Sequence, residues 1–171
     1  EGRKIRELTI TEGTNVLDDN LLACSDSHIR RVFAMLRHGK RGGNAVQFTG
    51  GLEAKRLEPW HVEELRDLKP KQLFFANDTP DDLEPLQRAG RMLLDAGFTT
   101  ASHALRAYVL CGWPADTVDA AKVRMQQTID AGFLPMAMLY RDNSGRRDPI
   151  WQKWGRQWAR PALAASKVEK L

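Results

Sequence analysis

The sequence predicts an α/β fold, a parallel five-stranded sheet made from a reiterated β/α unit. Three observations predict it. First, "LLDAGF" (Leu93–Phe98) recurs as "TIDAGF" (Thr128–Phe133), each time after an amphipathic stretch and before an apolar run, which places helix, glycine stop and strand in one order twice. Second, successive apolar runs begin about 30 residues apart, the length of one βαβ unit. Third, these runs lack clean alternation, as strands covered on both faces do. Crossovers of one hand then curl the units into part of a barrel or a doubly wound sheet. In either arrangement ligands meet the carboxyl ends of the strands.

In chain order, Asn15–Leu22 reads as the first strand, ending in the acids Asp18 and Asp19. Ser25 is the N-cap of a helix whose apolar face is Ile29, Val32, Phe33 and Leu36, with Gly39 as its stop. Ala45–Phe48 is the second strand, closed by Gly50 and Gly51. Pro59 opens a helix carrying Val62, Leu65 and Leu68, and Pro70 ends it. Gln72–Ala76 is the third strand. Thr79 and Pro80 start the next helix, with Asp81 and Asp82 complementing its dipole and Leu83, Leu86 and Leu93 along its face. Leu105–Cys111 is the fourth strand. Val118, Ala121, Met125 and Ile129 stripe the following helix, and Pro135–Tyr140 is the fifth strand. Trp151, Trp154 and Trp158 recur at helical spacing, and after Pro161 the pattern fades into a frayed end. The expected organisation is a connecting segment over 1–14, the β/α region over 15–145 and a C-terminal helix and tail over 146–171.

Composition excludes several classes. The 171 residues suffice for one core, and 42% hydrophobic with 28% charged residues describes an ordered globular chain. The longest apolar run, Leu134–Tyr140, is too short to span a bilayer, and a cytoplasmic location is expected. The net charge of +4 is mild, although basic residues gather near both ends, around Arg3–Arg6 and Arg146–Arg160. Two cysteines, Cys24 and Cys111, form no CxxC, and the four histidines show no HxxxH or HExxH spacing, so no metal is expected on these side chains. A P-loop and a GxSxG elbow are both missing, and "TGGLEA" is too weak for a dinucleotide fingerprint.

The strand ends read Asp18-Asp19-Asn20, Gly50-Gly51-Leu52-Glu53, Asn77-Asp78-Thr79, Cys111-Gly112-Trp113-Pro114 and Tyr140-Arg141-Asp142. Carboxylates, amides and glycines at one rim suit a small polar ligand with amine and hydroxyl groups, and equally suit the caps of strand-to-helix turns. Read in order, "NVLDDNLLA", "QLFFANDTPDDLEPLQRAG", "YVLCGWPADTVDAA" and "GFLPMAMLY" resemble strands two, four, five and six of the radical S-adenosylmethionine superfamily, with Asp-Asp-Asn in place of the usual Gly-Gly-Glu. The resemblance runs from about Glu1 to Pro161 and implies part of an incomplete TIM-like (β/α)6 barrel.

It implies S-adenosylmethionine as cofactor, with Asp18, Asp19 and Asn20 near the methionyl amine. Asn77 and Asp78 would lie near the ribose or methionyl end, and Val109, Leu110, Gly112 and Met138 around adenine. Glu53 and Arg56 are weaker candidates for substrate contact. The family's CxxxCxxC loop, which binds a 4Fe–4S cluster, is missing from the sequence. The expectation is therefore a fragment of a radical S-adenosylmethionine enzyme, without its first strand, inactive alone and prone to self-association through an exposed sheet edge. The alternative is a non-catalytic α/β module that uses its basic, Trp-bearing C-terminal segment on nucleic acid or protein.

Overall fold

The computed structural model describes residues 5–18, 20–142 and 148–158. Five strands alternate with helices: β1 (Asn15–Val16), α1 (Asp26–Arg41), β2 (Gln47–Phe48), α2 (Pro59–Leu68), β3 (Gln72–Ala76), α3 (Leu83–Asp95), β4 (Leu105–Cys111), α4 (Val118–Asp130), β5 (Leu134–Leu139) and α5 (Pro149–Gly155). All neighbouring strands are parallel, and their order is β1-β2-β3-β4-β5. The sheet is thus wound in one direction, without the reversal that defines a doubly wound sheet. Among the described residues no helix is long and apolar enough to cross a membrane.

Register assigns the two faces. Phe48, Leu73 and Leu105 pair across β2–β4, as do Phe75 and Ala107, and all are buried against α1, α2 and α3 in one core. Val109 and Cys111 continue this face into a second cluster with Ala121 and Met125 of α4 and the tryptophans of the C-terminal segment. The opposite, open face carries Asn15, Gln47 and Gln72 at one end and Tyr108, Leu110, Met136 and Met138 at the other.

The repeated hexapeptides form the same structure twice. After α3, Gly97 takes φ +98° while its N–H bonds Leu94 O and the Phe98 N–H bonds Leu93 O. After α4, Gly132 takes φ +91°, with Gly132 N–H to Ile129 O and Phe133 N–H to Thr128 O. This is a Schellman stop, which needs a residue that tolerates positive φ.

Several boundaries differ from the sequence reading, each for a local reason. The strand expected over Asn15–Leu22 ends at Val16, because the N–H groups of Thr49 and Gly50 both converge on Val16 O and finish the ladder. Leu21–Ala23 then forms a 3₁₀ turn that buries Leu21 and Leu22. Gly39 does not stop α1, which runs on to Arg41; a Cβ at Gly39 would lie 2.9 Å from Thr14 Cγ2, so the glycine admits the approaching N-terminal chain. The second strand is shorter than Ala45–Phe48, and Pro80–Asp82 is a 3₁₀ turn ahead of α3. Trp158 lies beyond the end of α5. Asp19, Arg146, Arg147 and the segment after Trp158 lie outside the described residues.

Candidate functional site

The carboxyl ends of the strands differ in what they gather. After β1 and β2 the chain makes a charged knot. Asn20 Nδ2 donates to Glu53 Oε2 at 2.6 Å, and Arg56 Nε donates to the same oxygen at 2.6 Å, while Lys55 Nζ stands 2.6 Å from Oε1. Burial would raise the Glu53 pKa, but the hydrogen bonds from Lys55, Asn20 and Arg56 outweigh it and hold the carboxyl below its ordinary value. Asn20 Oδ1 is buried with no hydrogen-bond partner among the described residues. Gly50 makes the knot possible, since a Cβ there would lie 2.2 Å from Asp18 O. The fold thus carries Asn20 to Glu53 across 33 positions, whereas Arg56 reaches the same carboxylate from the next turn of chain.

After β3 the two candidates part. Asn77 is 2% exposed, and its amide turns toward α4, donating to Thr128 Oγ1 at 3.0 Å. Asp78 is half-buried and accepts the Leu110 N–H at 3.0 Å, tying β3 to β4. Burial pushes the Asp78 pKa up against that hydrogen bond, and nearby Asp82 adds to the rise.

After β4 a buried ion pair closes the loop. Asp116 Oδ2 accepts from Gly112 N–H at 2.7 Å and from Arg124 Nη2 at 2.8 Å. Arg124 also reaches Leu110 O at 3.2 Å and lies over the Trp113 ring, 4.2 Å from its centroid. Gly112 has φ +81°, and the Trp151 ring occupies the place of its missing Cβ, 2.9 Å away. Thr117 caps α4 by accepting the Ala120 N–H. Most of "GWPADT" is thus spent on loop geometry.

The adenine candidates divide between the two faces. Val109 is fully buried on the helix face, whereas Leu110 pairs with Met138 on the open face, where Met138 is 44% exposed. Trp154 and Trp158 are 8% and 6% exposed, packed with Val109 and Cys111, so their rings are not offered for stacking on a base. Asp18 is exposed beside the knot, and Asp19 lies outside the described residues.

A further grouping joins residues that no sequence motif links. Donor atoms of Asp18, Cys24 and His28 lie within 4.8 Å of one another. Paired histidines or paired cysteines would have signalled it, but it mixes three ligand types; its trace in the sequence is Cys24-x3-His28 six residues after Asp18. Comparison with protein-family models, with characterised proteins and with solved structures finds no match.

Proposed function

We propose that the open face and the strand-end rim form the S-adenosylmethionine-binding part of a radical S-adenosylmethionine enzyme. The observation that supports this most is the gradient along the strand-end rim. It passes from the Asn20 amide and a held-ionised Glu53 carboxylate after β1 and β2 to Leu110 and Met138 at β4–β5. A ligand with a zwitterionic head and a flat apolar end matches that order.

In this reading the ligand's ammonium donates to the orphaned Asn20 Oδ1 and is attracted by Glu53, with Asp18 beside them. A buried acceptor without a partner costs roughly 1–3 kcal/mol, which a donor on the ligand offsets. Asp78 orients the Leu110 backbone, and Leu110 with Met138 flanks the adenine. Bound there, S-adenosylmethionine supplies a sulfonium centre for cleavage. The iron–sulfur cluster of the family does not fit these residues. Cys24 and Cys111 are the chain's two cysteines, and Cys111 is wholly buried, its Sγ donating to Val109 O at 3.2 Å and its pKa pushed up to about 12 by burial. Cluster ligands in this reading come from outside the 171 residues.

Calorimetric titration with S-adenosylmethionine tests the proposal. Binding is expected, weakened about tenfold or more in Glu53→Gln and Asn20→Leu by loss of a charge-assisted contact. No measurable binding, or affinity undiminished in both variants, overturns it. A salt-dependent affinity for nucleic acid in place of cofactor binding would favour the binding-module alternative.

A further inference from the structure

We propose that Asp18, Cys24 and His28 form a site for a borderline divalent cation, with zinc the best match to the donor set. The three donors come from three separate pieces of local structure. Asp18 follows β1, Cys24 ends the 3₁₀ turn, and His28 sits in the first turn of α1. Their positions are fixed by a cap: Ser25 Oγ accepts the His28 N–H at 3.3 Å, and Glu7 Oε1 accepts the Ser25 N–H at 2.6 Å. Thiolate, imidazole and carboxylate at one point are the ligands zinc takes. Tetrahedral zinc holds such ligands about 3.4–3.6 Å apart, so a spread of up to 4.8 Å closes by side-chain rotation of about 1 Å.

His28 is 4% exposed, and the Glu7 carboxylate faces its Nδ1 at 3.8 Å, an ion-pair distance that sets a second carboxylate beside Asp18 at the cluster. The charges agree. Burial raises the Cys24 thiol pKa, and the carboxylates of Asp18 and Glu7 raise it further. A cation at the centre reverses that balance, and the thiol proton leaves to solvent as the metal–sulfur bond forms.

The proposal does not depend on the cofactor reading. Asp18 is common to both, so variants at Cys24 and His28 carry the test. Titration of the full chain with Zn²⁺ in two buffers of different ionisation enthalpy should give one equivalent bound and release of a thiol proton. Co²⁺ should give a thiolate-to-metal charge-transfer band. Cys24→Ala should abolish that band and weaken Zn²⁺ binding about a hundredfold, and His28→Gln about tenfold or more, with S-adenosylmethionine affinity unchanged in Cys24→Ala. Should His28→Gln not fold, alkylation keeps the test decisive: Zn²⁺ should slow modification of Cys24 in the unmutated chain, with buried Cys111 unreactive throughout. No Zn²⁺ uptake, or uptake undiminished in Cys24→Ala without thiol protection, overturns the site.

Discussion

The two ends of the sheet are built from the same β/α unit and solve different problems. At β1 and β2 each strand has two residues, and the chain soon leaves the ladder for turns that converge polar groups: Asn20, Glu53, Lys55 and Arg56 in one knot, Asp18, Cys24 and His28 in another. At β4 and β5 the strands pair along six positions, and the loop polar groups bond one another or backbone. Long pairing fixes the backbone at β4–β5, whereas short pairing lets the turns after β1 and β2 bring side chains from distant segments together. Each end leaves a buried atom without a hydrogen-bond partner among the described residues, Asn20 Oδ1 after β1 and Arg124 Nε on α4. A repeat therefore preserves the winding, while the length of each strand decides where chemistry can gather.

The contrast breaks most readily at glycine. A Cβ at Gly90 of α3 would lie 1.9 Å from Ala131 O at the end of α4. Gly90→Val should cost more than about 3 kcal/mol and abolish the cooperative melt followed by circular dichroism. Gly50→Ala meets Asp18 O at 2.2 Å but in the shorter-paired end, and should cost less, about 2 kcal/mol. Equal losses would remove the distinction between a firm end and an adaptable one.

Comparable to the Gly90 effect is that of the buried pair after β4. Arg124→Ala leaves the Asp116 carboxylate, 1% exposed, without its cation, and should cost about 3–5 kcal/mol in urea denaturation. Lys122→Ala removes an exposed partner of Asp119 and should leave the urea midpoint unchanged, because solvent screens that pair.

Two carboxylates should show opposite pH behaviour. Glu53 has a depressed pKa, so its contribution is complete above the ordinary carboxylate value and is lost as pH falls through the lowered folded value. Asp78 has a raised pKa, so its contribution is complete below the ordinary aspartate value and is lost as pH rises through the raised folded value. Relative to the unmutated chain, Glu53→Gln should therefore gain stability as the medium is made more acidic. Asp78→Asn, which keeps an acceptor for Leu110 N–H, should gain as pH rises from acid toward neutral. Parallel curves for both variants would show that the two strand ends are electrostatically alike. The smallest effect is expected at Met138, whose exposed side chain can be cut to alanine within about 0.5 kcal/mol of stability. Cofactor affinity, read by calorimetry, is what that substitution should lower.

Much of the frame was legible because it is local. β3 and β4 have the bounds their apolar runs suggested, Gln72–Ala76 and Leu105–Cys111. Ser25 caps the helix it precedes, and the DAGF repeats stop two helices by one set of bonds. The failures were also physical. The apolar run after Val16 is buried in a turn instead of a strand, which hydropathy cannot distinguish. Asn77 looked like a rim ligand and is instead a buried tie to Thr128. The convergence of Asp18, Cys24 and His28 has no counterpart in the sequence reading, because neither Cys24 nor His28 belongs to a recognised spacing.

The sequence by itself determined the order of elements, the Ser25 cap and the glycine stops of the repeated hexapeptides, and the parallel character of the sheet, since these follow from side-chain periodicity and from φ angles that glycine and proline favour within a few residues. Only the tertiary structure decided which face each strand residue occupies, that Asn20 meets Glu53 across 33 positions, and that a thiol, an imidazole and a carboxylate converge. Those meetings depend on register and on where each ladder ends, and both are set by contacts between segments that no local pattern encodes.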